Sequence, residues 1–92
     1  MNQSDVITCI LQRGKADKVV KAAIDAGAQG ATIYYARGTG VRQKIGLFGA
    51  MIVPEKEVII IVTQQEQTDT VFDAIVKAGE LDKPGKGFAY VQ

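Results

Sequence analysis

Two short segments concentrate the residues able to hold an anion. Ala36-Arg37-Gly38-Thr39-Gly40-Val41-Arg42-Gln43-Lys44 places two glycines, two arginines and a lysine within nine residues, with no acidic side chain among them. Near the other end, Lys83-Pro84-Gly85-Lys86-Gly87 repeats the combination. Glycine lets backbone N–H groups approach a ligand closely, and the cations attract phosphate. Together the segments would form the two jaws of an anion site, provided the fold brings them face to face. Each also has a plainer explanation: a solubilising basic loop, hairpin glycines at Gly38 and Gly40, or a turn lysine at Lys86.

The rest of the composition narrows the chemistry. The 92 residues make one domain, and 47% of them are hydrophobic. So short a chain with that much apolar surface is expected to complete its burial by oligomerising. A net charge of +1 gives no reason to expect nucleic-acid binding. There is no histidine and a single cysteine, Cys9, which removes the commonest general base and any ordinary zinc or copper site within one chain. Cys9 sits in an apolar run and reads as a small core residue. No apolar run is long enough to span a bilayer, and the N-terminus lacks the positive region of a signal peptide. The expectation is a cytoplasmic binding protein that is not an enzyme, with no prosthetic group and no metal.

The elements that must position the two segments are readable from periodicity. Val6–Leu11 is β-branched and apolar and predicts a first strand, ended by Arg13-Gly14. Ala16, Val19, Val20, Ala23 and Ile24 recur at helical spacing, and Gly27 is placed to end that helix in a left-handed conformation. Ala31–Ala36 predicts a second strand feeding the basic glycine segment. Glu57–Thr63 gives the strongest strand signal, a continuous apolar run expected to be central and buried on both faces. Gln67–Thr70 offers capping side chains for a second helix through Val71, Ala74, Ile75 and Ala78, closed by Gly79. Phe88–Val91 makes a short last strand.

The order β-α-β-β-α-β predicts an α+β, ferredoxin-like sandwich, a four-stranded antiparallel sheet with two helices on one face. The other face would be covered by further copies. Function on this fold must be argued from sites. The central strand offers no aromatic for stacking RNA bases, and Asn2, the one asparagine, stands before the first strand, where an acylphosphatase-like site cannot use it. The two basic segments would lie at opposite ends or edges of one chain and meet across a subunit boundary.

At this point the residues resemble the PII family of nitrogen-regulatory signalling proteins, over nearly the whole of residues 1–92 as one domain. The matching segments are Gly30-Ala31-Thr32-Ile33, Arg37-Gly38-Thr39-Gly40 with Arg42-Gln43-Lys44, Pro54, Asp69-Thr70, and Pro84-Gly85-Lys86-Gly87-Phe88. The resemblance implies a homotrimer with adenine-nucleotide clefts between subunits and ATP, ADP or AMP as effector. It implies a T-loop at about 40–54 that reports to a transporter or metabolic enzyme, and a B-loop at about 79–87 that holds phosphates. Thr32 would sit near the adenine, and Gly38, Thr39 and Gly40 would line the cleft, with Arg37 and Arg42 as the cations of the anion-site reading. Gln43 would serve Mg-ATP and 2-oxoglutarate, and Gly85 and Lys86 the phosphates, with Gly87 a further candidate from the second anion segment.

The departures point to a divergent member. The T-loop is shortened and carries no tyrosine, so uridylylation has no acceptor. Glu55 stands where the family has a lysine that contacts 2-oxoglutarate, and Lys56 would replace it only with a register shift. Lys83-Pro84 replaces the family's Gly-Asp, and the sequence ends at Gln92, before the family's C-terminal arginines. A small anion in a reduced site is therefore an alternative to a nucleotide. Two further readings stand beside these: a purely structural or assembly trimer, and a small-metabolite regulatory domain without nucleotide. The apolar stretch 45–52 would serve as a strand extension within the trimer or as a docking patch.

Overall fold

The computed structural model describes residues 3–37 and 55–92. The stretch 38–54, with Gly38, Thr39, Gly40, Arg42, Gln43 and the expected T-loop, lies outside the described residues. The elements are β1 (Ser4–Gln12), α1 (Ala16–Asp25), β2 (Thr32–Arg37), β3 (Glu55–Gln64), α2 (Gln65–Gly79) and β4 (Gly87–Val91). They form one sheet in the order β2-β3-β1-β4 with every neighbouring pair antiparallel. This is the ferredoxin-like arrangement that the element order predicts.

The period-2 pattern of the two central strands divides the sheet into two unlike faces. Ile7, Cys9 and Leu11 of β1 and Ile59 and Ile61 of β3 point to the helices. There they pack with Ala16, Val19 and Ala23 of α1 and with Val71 and Ile75 of α2. Burial pushes the Cys9 thiol up to about 12, so it stays protonated at neutral pH and behaves as a core side chain. The alternate residues, Val6, Ile10, Val58, Ile60 and Val62, share the opposite face with Tyr34, Phe88 and Tyr90. Neither described helix covers them. Val62 is 55% exposed, Phe88 54%, Tyr34 46% and Tyr90 42%. The burial of β3 on both faces that its sequence predicts is thus only half realised within one chain.

Both helices begin on polar groups borrowed from the sheet. The N–H groups of Lys15 and Ala16 at the start of α1 donate to Glu57 Oε1 of β3, at 2.8 and 2.9 Å. A buried carboxylate thereby satisfies two donors that the helix leaves unpaired and complements its positive end. Lys15, the residue in the capping position, makes no side-chain cap of its own. At α2 the sequence places the caps at Gln67–Thr70, yet the helix starts at Gln65, directly after β3. Thr68 lies inside the first turn. Its hydroxyl donates to Asp5 Oδ2 at 2.7 Å and accepts from the Thr63 hydroxyl at 2.7 Å. Cross-strand pairing of Asp5 with Thr63 creates this socket.

The helix ends differ. Gly27 has φ +119° after α1, as its position predicts, and Ala28 N–H closes the turn on Ala23 O at 3.0 Å. After α2 the left-handed residue is Glu80, at φ 54°, ψ 41°, rather than Gly79. A Cβ at Gly79 would stand 3.1 Å from a methyl of Leu81, which folds back onto the core, so glycine leaves that side chain room.

Glu57→Ala should cost about 2–3 kcal/mol, because it orphans two helix donors next to the core. Glu57→Gln, which keeps an acceptor oxygen but loses the charge, should cost about 1 kcal/mol. Urea unfolding at fixed protein concentration measures both; equal costs would show that charge, not hydrogen bonding, holds the helix start.

Candidate functional site

Strand register fixes where the two basic segments stand. Arg37 ends β2 opposite Glu55. The next row is Ala36, Lys56 and Gln12, and the one after it runs Tyr35, Glu57, Leu11 and Gly87. Arg37 and the 83–87 segment therefore occupy the same end of the sheet. Because β2 and β4 are its two edges, three strand spacings, roughly 14 Å, separate them. Of the opposite ends or edges that the sequence allows, the fold selects opposite edges.

Thr32 lies at the far end of β2, opposite Ile60. With Gln29, Gly30, Ala31, Ile60 and Val62 it lines an open groove of about 350 Å³ at the corner of the uncovered sheet face. From Thr32 to Arg37 is about 17 Å along the strand. Thr32 and the 83–87 segment are thus diagonal corners of one sheet, and within one chain they cannot touch a common small ligand. Periodicity alone could not have found Gln29, Ile60 or Val62 as groove residues, since it does not say which strand end lies open.

The 80–87 loop is built tightly. The Gln12 side-chain amide donates to the Gly85 carbonyl and ties the loop to the end of β1. Gly85 has φ +80° and Gly87 φ +136°. At Gly87 a Cβ would meet Ile10 O at 2.3 Å, so this glycine is required by the pairing of β4 with β1, whatever else it does. The loop's cations already have a partner. Lys83 Nζ stands 3.4 Å and Lys86 Nζ 3.6 Å from the Glu80 carboxylate. Lys83 first, then Lys86, hold that carboxyl below the usual carboxylate range. Motif and periodicity do not single out Glu80; its three-residue spacing to Lys83 is the one signal of this pairing in the sequence.

On the other side, Glu55 pairs with Arg13 at 3.3 Å. Lys56 points to the opposite sheet face from Glu55, so no side-chain rotation lets it take the place of Glu55. Among the described residues there is no group of three histidine, cysteine or acidic side chains that could hold a metal ion. No described helix is long and apolar enough to cross a membrane.

The strand order and the two helices on one face define a ferredoxin-like α+β module. Residues 4–92 match the family model of nitrogen regulatory protein P-II, and the chain belongs to that family. Among solved structures, the Arabidopsis thaliana PII protein bound to citrate superposes with a TM-score of 0.75 at 21% sequence identity. The match covers 98% of this chain and 76% of that one. At this identity the likeness is one of fold. A search of curated sequences finds no match.

The glycines of the site separate by what holds them. Gly87→Ala should destabilise the fold by at least about 2 kcal/mol, through both the backbone angle and the contact with Ile10 O. Gly30→Ala meets nothing within 4 Å and should leave the melting temperature near wild type. Thermal melts of the two variants check this; a stable Gly87→Ala would show that β4 pairs differently.

Proposed function

We propose that this P-II family protein is a regulatory switch that binds an adenine nucleotide or a small anion in clefts between the subunits of a homotrimer. The observation that carries the proposal is the position of the Thr32 groove and Arg37 at the two ends of one edge strand, with the 83–87 loop on the other edge. A base in the groove would direct its phosphates along β2 towards Arg37. The loop with Gly85 and Lys86 would then come from the neighbouring subunit, because in one chain it lies too far away. Neither basic segment alone supplies enough donors for a polyphosphate.

The uncovered sheet face supports the assembly. Val62, Tyr34, Phe88 and Tyr90 are too exposed and too apolar for a face meant for water. Phe88 and Tyr90 stack with ring centroids 6.3 Å apart and present a flat aromatic patch. Citrate bound to the Arabidopsis relative is an example of a small polyanion held by this fold and favours the anion alternative to nucleotide. Through the 40–54 segment the occupied site would control a transporter or a metabolic enzyme in the cytoplasm. Gly38, Thr39, Gly40, Arg42 and Gln43 belong to this proposal as cleft residues. 2-Oxoglutarate is not part of it, since Glu55 and its Arg13 partner occupy the position where a lysine would be needed.

A thermal-shift screen against ATP, ADP, AMP, citrate, phosphate and bicarbonate tests the binding. Any ligand that binds the folded state alone must raise the melting temperature. No shift at millimolar concentrations would leave a structural trimer as the better reading. Lys86→Ala should weaken ATP more than AMP, by about tenfold, or about 1.4 kcal/mol. The effect is kept small because Lys86 gives up its Glu80 contact on binding.

Tyr90→Lys puts a charge on the uncovered face away from the groove. Light scattering should show it as a monomer where the wild-type chain is a trimer, and the ATP-induced shift should vanish with the trimer. A wild-type monomer at micromolar concentration would overturn the assembly.

A further inference from the structure

Glu80 combines three features that each disfavour a glutamate there. It is the one non-glycine with positive φ among the described residues, at 54°. That conformation disfavours any side chain with a Cβ. It stands at the C-terminal end of α2, where the helix carries partial negative charge and a cation would be preferred. It also places an acid in a segment whose other features, Gly85, Lys86 and Gly87, suit an anion. Glycine or asparagine would meet the backbone requirement, and lysine would suit the helix end. Against these costs stands the pair of lysines it holds. Leu81 N–H bonded to Val76 O at 3.0 Å fixes the turn, and Lys83 N–H bonded to Glu80 O at 2.9 Å brings Lys83 over the carboxylate. Lys86 closes on the other oxygen.

We propose that Glu80 is a built-in counter-ion of the 80–87 loop, a stand-in for the ligand's phosphate that an incoming anion must displace from Lys83 and Lys86. This inference rests on the reading of that loop as an anion site. It gives Glu80 the role of a specificity-setting residue. A ligand with several negative charges can compete with the tethered carboxylate, whereas a singly charged one gains little over it. The loop carries two lysines against Glu80 and Asp82, so without a ligand its charges already cancel. A strained residue at the mouth of a binding loop is where such a device is expected.

Calorimetric titration of the full chain with ATP and with adenosine tests this in wild type, Glu80→Gln and Glu80→Gly. Removing the carboxylate should tighten ATP about three- to tenfold and leave adenosine unchanged, since exposed ion pairs are individually weak. Adding Lys86→Ala to Glu80→Gln should cancel most of the gain. Glu80→Gly should show the same gain with a higher melting temperature, because glycine accepts the backbone angle. ATP binding that appears only in the variants would support the counter-ion and explain a silent wild type. Wild-type binding of ATP with an unchanged or weaker Glu80→Gln overturns the counter-ion while leaving the anion site in place. Equal tightening of ATP and adenosine overturns it as well. Absence of ATP binding in every variant overturns both readings together.

Discussion

Strand β3 carries apolar side chains on both of its faces, and the described residues form two helices with which to cover them. Both lie on the side of Ile59 and Ile61, where they complete a dry core with β1. The side of Ile60 and Val62 is left open. Everything else in the molecule follows from that asymmetry. The open face is broad enough to invite further copies, and the groove beside Thr32 exists because β2, an edge strand, borders it. A site at such a corner is completed by whatever packs against the face, which ties ligand binding to assembly in the proposed trimer.

The helical layer is attached to the sheet by polar contacts as well as apolar ones. Glu57 reaches from the central strand to the start of α1, and Asp5 and Thr63 hold Thr68 at the start of α2. At α1 the sheet supplies an oxygen to two helix N–H groups, at α2 it holds the Thr68 hydroxyl, and neither helix start has a side-chain cap of its own. Buried hydrogen bonds of this kind add modest net stability, but losing one partner is expensive. They therefore pin the helix positions more sharply than apolar packing would. The Glu57 row also runs through Leu11 to Gly87, so the same register that seats α1 seats the start of β4 and the loop before it.

That loop shows how a shared fold can be tuned locally. Its backbone has two glycines at positive φ, while its charges are paired internally through Glu80. A family resemblance carried by Pro84-Gly85-Lys86-Gly87 speaks to the backbone and leaves the electrostatics to this chain's own residues.

The sequence by itself determined the element order, the core-facing residues of both helices apart from the half-exposed Ile24, and the left-handed turn at Gly27. These follow from local rules: period 2 in strands, period 3.6 in helices, and the absence of a Cβ at positive φ. It also carried enough spaced motifs to resemble the PII family, which the match over residues 4–92 bears out. Only the tertiary structure decided that Arg37 and Lys86 share one end of the sheet on opposite edges, because register is a relation between strands. Only it showed Glu57 as a cap and Thr68 as a member of a polar chain, since their partners lie 41 and 63 residues away. The left-handed position fell on Glu80 instead of Gly79 for a similar reason: Leu81 had to return to the core, and the residue before it took the backbone angle that this return demands.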